Sequence, residues 1–81
     1  MSEIITAEDI AQDYKAMGHS VELINGIING TSMTDATAEV KQSTVDRNVE
    51  HLELMVAKDY WTTENMIAVN AAITAGNSYT A

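Results

Sequence analysis

The sequence predicts an all-α fold, an antiparallel helical hairpin followed by a shorter third helix, in one small domain that spans residues 1–81. Apolar residues recur at spacings of three and four, as they do along one face of a helix. Residues that cap helices stand where these patterns begin, and the chain contains no proline. Strand-like alternation is missing beside the Asn-Gly pairs, which favours helix ends over hairpin turns there.

The first helix is predicted over about residues 7–29. Thr6 is suited to be its N-cap, and Glu8 places negative charge in the first turn, near the positive end of the helix dipole. Gly18 costs about 1 kcal/mol relative to alanine and allows a kink, but one continuous helix ending at Gly30 is favoured. The predicted buried stripe consists of Ile10, Tyr14, Met17, Val21, Ile24 and Ile28, widened by Leu23 and Ile27.

The second helix is predicted over about residues 35–60. Two starts are open, one with Ser32 as N-cap and Asp35 reaching back to it, the other with Thr34 as N-cap. The connection to the first helix is then about four to six residues long, which is typical of helices that pack antiparallel. The predicted core face consists of Ala38, Val45, Val49, Leu52, Met55, Val56 and Tyr60.

The third helix is predicted over about residues 63–75, with Thr62 as N-cap and Gly76 followed by Asn77 as its end. Its side chains are apolar or small on nearly every side. A helix of this kind is normally buried on more than one face, so we expect contacts on several of its sides.

Bulky apolar residues stand just before two of the predicted caps. Ile5 with Ile10 at the first helix, and Trp61 with Met66 at the third, occupy the positions of a hydrophobic staple. We expect Trp61, the only tryptophan, to plug the junction between helices two and three. The alternative is that its ring is exposed and anchors a partner.

The composition excludes several functional classes. Twelve acidic residues against four basic ones give a net charge of −8, which argues against direct binding to nucleic acids or to anionic membranes. The absence of cysteine excludes thiolate metal sites, iron–sulfur clusters and thiol catalysis. The first residues lack the features of a secretory signal peptide, so we expect a cytoplasmic or virion protein that is not secreted by that route.

No pattern in the sequence indicates catalysis. The Gly-x-Ser-x-Gly and Ser-x-x-Lys nucleophile motifs and phosphate-binding glycine loops are absent. His19 with Glu22, and His51 with Glu50 and Glu53, do not follow the Glu-x-x-His order of dimetal helical bundles. We therefore predict a non-enzymatic protein with no catalytic, metal-binding or cofactor-binding residue.

Three short helices cannot cover all of their own apolar side chains. The candidates for contact with another protein are Leu23, Ile27, Leu54, Trp61, Ile67 and Tyr79. They predict self-association, as a homo-oligomer, or a protein partner. The leading hypothesis is therefore a small structural subunit of a larger assembly.

Acidic residues are concentrated near the first helix, because residues 1–40 hold seven acids and one base. The predicted acidic ridge consists of Glu3, Glu8, Asp9, Asp13 and Glu22. A solvated face that keeps a small protein soluble explains it. The alternative function is an acidic inhibitor or nucleic-acid mimic that binds a basic host protein.

Residues 48–64 run from Asn48 through Leu52, Leu54 and Trp61 to Glu64. This stretch resembles small helical proteins encoded among the structural genes of tailed bacteriophages. The resemblance implies a virion component, such as an accessory, cement or tail-associated protein, or an assembly factor. It implies no catalytic residue.

Overall fold

The computed structural model describes residues 6–58 and 60–81. Within these ranges the chain forms α1 (Ala7–Asn29), α2 (Ala38–Val56) and α3 (Thr63–Ser78), and it forms no strand. Each helix packs against both of the others. The prediction of an all-α hairpin with a third helix is confirmed.

The predicted start and end of α1 are correct. The Thr6 hydroxyl accepts a hydrogen bond from the Asp9 N–H at 3.2 Å, and the Asp9 carboxylate accepts one from the Thr6 N–H at 3.1 Å. The helix is continuous through Gly18 and ends at Gly30, whose φ of 79° is left-handed. Ile5 of the first predicted staple lies outside the described residues.

The buried stripe of α1 is rotated from the predicted one. Tyr14 is 50% exposed and Ile28 is 36% exposed, so both predicted stripe positions are wrong. Ser20 occupies one of the core positions instead. Its hydroxyl lies 3.1 Å from Nδ1 of His51, so its hydrogen-bonding group has a partner although the residue is buried. A pattern of apolar residues alone does not reveal such a position. The buried stripe is Met17, Ser20, Ile24 and Ile27.

The predicted starts of α2, near Asp35 with Ser32 or Thr34 as N-cap, are wrong. The N-cap is Thr37, whose hydroxyl accepts from the Val40 N–H at 3.2 Å. The helix therefore begins three residues later than predicted.

Ser32 is not a cap because the chain folds back onto α1 after that helix ends. The N–H groups of Thr31 and Ser32 donate to the Gly26 carbonyl at 2.8 and 3.0 Å. This brings the Ser32 side chain so close that a Cβ at residue 26 would lie 2.2 Å from its Oγ. Gly26 therefore makes this turn possible, and Met33, with a φ of 52°, carries the chain onward.

The predicted end of α2 at residue 60 is also wrong, because the helix ends at Val56. The Met55 carbonyl accepts from the Lys58 N–H at 3.1 Å and from the indole N–H of Trp61 at 2.7 Å. A tryptophan side chain thus satisfies a carbonyl in the last turn, where helix carbonyls lack partners of their own.

The predicted cap of α3 is correct, but its predicted end is not. Thr62 Oγ1 accepts from the Asn65 N–H at 3.1 Å, and Asn65 Oδ1 accepts from the Thr62 N–H at 3.3 Å. The helix continues through Gly76 to Ser78. Gly76 does not stop the helix, since it is the point where α3 touches α2: a Cβ there would lie 2.3 Å from Cγ2 of Val49.

One core lies between the three helices. α3 contacts both α1 and α2, as expected for burial on more than one face, and it buries Val69, Ala72 and Gly76. Ile67 is 66% exposed, as expected for a side chain that the bundle leaves uncovered. The apolar core consists of Met17, Ile24, Ile27, Val45, Val49, Leu52, Met55, Val69 and Ala72. Two surfaces outside this core are described below: a groove between α1 and α3, and the outer side of α2.

Candidate functional site

The side chains that the sequence offered as metal ligands do not form a cluster. Among the described residues no group of three or more carboxylate or imidazole side chains is placed to hold a metal ion. His51 instead faces Ser20 across the bundle. None of the described helices is long and apolar enough to cross a membrane.

A polar cluster joins the α2–α3 connection to α1. Lys58 Nζ donates to Oδ2 of Asp13 at 2.8 Å, and the Tyr60 hydroxyl donates to the same oxygen. The hydrogen bond from Lys58, followed by that from Tyr60, lowers the pKa of Asp13 below its ordinary 3.8. The same bond raises the pKa of Lys58, and partial burial raises that of Tyr60. The cluster fastens two segments of the chain together, which is a structural role.

Trp61 lies beside this cluster, half-buried against the core. Its ring meets Tyr60 edge-on at a centroid distance of 4.6 Å and Tyr14 at 6.3 Å. These contacts and the bond to Met55 place Trp61 at the junction of α2 and α3, where the plug hypothesis expects it. Part of the ring remains open to solvent.

The predicted acidic ridge is not one free surface. Asp9 belongs to the α1 capping box and Asp13 to the pair with Lys58. Glu8 and Glu22 are exposed, and helical spacing places them on a different side of α1 from Asp13. Glu3 lies outside the described residues.

Two of the six contact candidates are widely exposed. Leu54 is 67% exposed and Ile67 is 66% exposed. Leu54 stands nine residues from the buried Val45, which is two and a half helical turns and hence the opposite side of α2. Ile67 stands nine residues from the buried Gly76 and therefore lies on the opposite side of α3.

The other four candidates are engaged with the core. Ile27 is buried, so the expectation that it is left over is wrong. Leu23, Trp61 and Tyr79 are partly buried and pack against the core. The Tyr79 carbonyl also accepts from the Gln42 amide at 3.2 Å, which ties the end of α3 to α2.

A groove of about 370 Å³ runs between α1 and α3. Every residue that lines it belongs to one of these two helices. Gly18 leaves space in it, because a Cβ at that position would meet nothing within 4 Å. The sequence predicts only a possible kink at Gly18 and does not predict the groove, whose one sign in the sequence is a glycine inside an apolar stripe. The lining includes Tyr14, Met17, Val21, Ala68 and Val69, with Lys15, His19 and Glu22 as polar members.

The arrangement of the described side chains offers surfaces for contact with other molecules. The exposed apolar residues lie on the outer sides of α2 and α3, and the groove lies between α1 and α3. Comparison with protein-family models, with curated proteins and with solved structures found no match to this chain.

Proposed function

We propose that this protein is a non-enzymatic interaction subunit of a larger assembly, which binds other protein chains through apolar side chains on its surface. The observation that carries the proposal is the two-thirds exposure of Leu54 and Ile67 on a bundle whose core is already filled. Full burial of such a side chain stabilises a complex by about 1.5 to 3 kcal/mol.

Single exposed leucines are common on soluble proteins and carry little meaning alone. Here the exposed side chains occur together with an apolar groove on a domain of 81 residues. A domain of this size buries only about 60% of the surface its unfolded chain exposes, so covering more apolar surface by association would add to its stability. The combination therefore favours a role in assembly.

The side-chain arrangement gives no comparable support to the acidic inhibitor or mimic. That hypothesis needs a continuous set of free carboxylates, whereas Asp9 and Asp13 are held by partners within the chain. Assembly is therefore the function that we propose.

The assembly that we propose is a tailed-phage particle, on the resemblance of residues 48–64. This segment contributes Val49, Leu52 and Met55 to the core and Leu54 to the surface. It thus contains both the residues that hold α2 in place and one that a neighbouring chain would cover.

Light scattering coupled to size-exclusion chromatography tests the proposal, with purified phage particles analysed by mass spectrometry where the host phage is available. We expect a mass that rises with protein concentration, or co-elution with a purified particle protein. The matched control is the double variant Leu54→Ser and Ile67→Ser, which removes the exposed apolar groups and keeps the core. A protein that stays monomeric at every concentration and is absent from particles contradicts the proposal.

A further inference from the structure

We infer that Asn29 is a site of spontaneous deamidation in the folded chain, whereas Asn25, which stands in the same Ile-Asn-Gly context, is protected by the helix around it. The reaction is a covalent modification that changes the charge and the course of the main chain at the end of α1. It does not depend on the proposed role in assembly.

The chemistry uses only the groups of the Asn-Gly pair, a base in solution and water. The amide nitrogen of Gly30 loses its proton to the base and attacks Cγ of the Asn29 carboxamide, and the side-chain amide group leaves with a proton as ammonia. Water then opens the resulting five-membered succinimide ring. Attack at Cγ gives aspartate, and attack at the main-chain carbonyl gives isoaspartate, in which the chain continues through the side chain. Glycine favours ring closure, because it has no Cβ to restrict the main chain beside the attacking nitrogen.

The sequence offers this reaction at two places. The segments 24–26 and 28–30 have the same three residue types, isoleucine, asparagine and glycine. Both asparagines are exposed, so access to water does not distinguish them. The difference lies in the main chain, because the attacking nitrogen reaches Cγ only when the chain rotates out of the helical conformation at the asparagine.

Asn25 stands inside α1 and is held on both sides. Ile24 before it is fully buried, and Ile27 after it is 4% exposed. Rotation of the main chain at Asn25 therefore pulls one of these isoleucines out of the core. The Gly26 carbonyl also accepts from the Thr31 N–H at 2.8 Å, so the turn after the helix would open as well.

Asn29 is the last residue of α1. The N–H of Gly30 is shared between the carbonyls of Gly26 and Ile27, and its distance of 3.3 Å to the Ile27 oxygen is long for a hydrogen bond. Rotation at Asn29 opens only the turn that follows and leaves both buried isoleucines in the core. Because helix ends open more readily than helix interiors, the reactive conformation is far more accessible here.

The products should loosen the connection between α1 and α2. Aspartate at position 29 adds a negative charge at the carbonyl end of the helix dipole, where the last turn contains no basic residue. Isoaspartate inserts one extra carbon into the main chain, which displaces the N–H groups of Thr31 and Ser32 from the Gly26 carbonyl. Deamidation therefore acts on the turn that folds the chain back onto α1.

Two single variants each keep one of the two sites. Asn29→Gln keeps only the pair at Asn25, and Asn25→Gln keeps only the pair at Asn29. Glutamine is the matched change, because it keeps the amide and closes its larger ring much more slowly. Circular dichroism confirms that both variants are folded. The wild-type chain and both variants are incubated in mildly basic buffer, with and without guanidinium chloride, and tandem mass spectrometry of proteolytic peptides identifies each residue that has changed from amide to acid.

In the folded state we expect the wild-type chain and Asn25→Gln to convert at position 29 at the same rate. Asn29→Gln should convert at position 25 at least about tenfold more slowly, since exposing a buried isoleucine lowers the open population by about that factor or more. In guanidinium chloride the two variants should convert at similar rates, because their Ile-Asn-Gly segments are the same. The converted wild-type chain should contain both aspartate and isoaspartate and should melt at a lower temperature than the fresh chain.

Equal rates for the two variants in the folded state overturn the inference, and so does faster conversion of Asn29→Gln. Conversion of both sites in guanidinium chloride and of neither in the folded chain also overturns it, because the helix end would then protect Asn29 as well. Aspartate without isoaspartate overturns the attack by the Gly30 nitrogen, since direct hydrolysis gives aspartate alone. An unchanged melting temperature after conversion overturns the loosening of the turn.

Discussion

At the scale of single residues, Asp13 is the side chain for which we expect a pH-dependent contribution to stability. It lies one turn before the buried Met17 on α1, yet its carboxylate is satisfied by Lys58 and Tyr60. The side chain of Asp13 is 31% exposed, and these two donors hold its carboxylate against the α2–α3 connection. Protonation of this carboxylate should therefore lower the stability of the chain.

We expect the stability that Asp13 provides to be lost in acid. Its pKa in the folded chain lies below the ordinary 3.8, mainly because Lys58 donates to it. A group with a lowered folded pKa contributes its full stability above its unfolded pKa, and that contribution disappears as the pH falls through the folded pKa. Thermal melts from neutral pH to pH about 2 should show a steeper loss for the wild-type chain than for Asp13→Asn.

The control for this prediction is Glu22→Gln, which removes an exposed acid from the same helix. Its melting temperature should follow the wild-type pH dependence. Equal acid sensitivity of Asp13→Asn and the wild-type chain would show that the contact with Lys58 contributes nothing to stability.

Trp61 contributes to stability through both its ring and its indole N–H. The ring is half-buried against the core, and the N–H donates to the Met55 carbonyl at 2.7 Å. We expect Trp61→Ala to lower the free energy of unfolding by roughly 2 to 3 kcal/mol, less than for a fully buried tryptophan. Trp61→Phe keeps a ring and loses the donor, so it should cost about 1 kcal/mol.

Urea denaturation followed by circular dichroism measures both values, since fluorescence is lost with the only tryptophan. An unchanged midpoint for Trp61→Ala would favour the alternative in which the ring serves a partner. In that case the substitution should weaken association and leave the isolated domain as stable as before.

At the scale of the helices, the same substitution should have opposite effects at different glycines. Gly18→Ala should raise the free energy of unfolding by up to about 1 kcal/mol, because it improves helix propensity and the new Cβ meets open space. Gly76→Ala should destabilise, because its Cβ would lie 2.3 Å from Val49 Cγ2. Gly26→Ala should destabilise as well, because of Ser32. Urea titration of the three variants measures the signs, and a stabilising Gly76→Ala would contradict the close packing of α3 on α2.

The helices themselves could be predicted from the sequence, whereas some of their ends could not. Thr6 and Thr62 are each followed, three residues later, by a side chain that completes a capping box. The starts of α1 and α3 are therefore determined by neighbouring residues in the sequence. The return of the chain to Gly26 keeps Ser32 from capping α2, and the indole of Trp61 satisfies a carbonyl at the end of that helix. Both depend on contacts across the turns that no local pattern contains.

At the scale of the whole molecule, the exposed surface was only partly predictable. Leu54 lies off the predicted apolar face of α2, and Ile67 lies on a helix with more apolar sides than two neighbours can cover, so the exposure of both agrees with the prediction. Ile27 was misjudged because the buried stripe of α1 includes Ser20, a polar residue that needs His51 from α2 to be satisfied. The groove depends on the distance between α1 and α3, and the sequence of one helix does not specify that distance.

The net charge of −8 leads to a prediction that separates the two functional hypotheses. If the chain associates with copies of itself, salt screens their mutual repulsion and should strengthen association. The screening length falls from about 30 Å at 0.01 M salt to about 10 Å at 0.1 M. The few charges around Leu54 and the groove are exposed, and exposed pairs contribute little, so they should not reverse this trend. An acidic ridge that binds a basic partner should behave in the opposite way, because salt screens the attraction.

Sedimentation of the chain alone, and of the chain with a basic protein such as a histone, at low and high salt measures both trends. Leu54→Glu is the control and should remain weakly associated at each salt concentration. Self-association that weakens as salt is added would contradict the apolar contact, because attraction between charges would then be its main source.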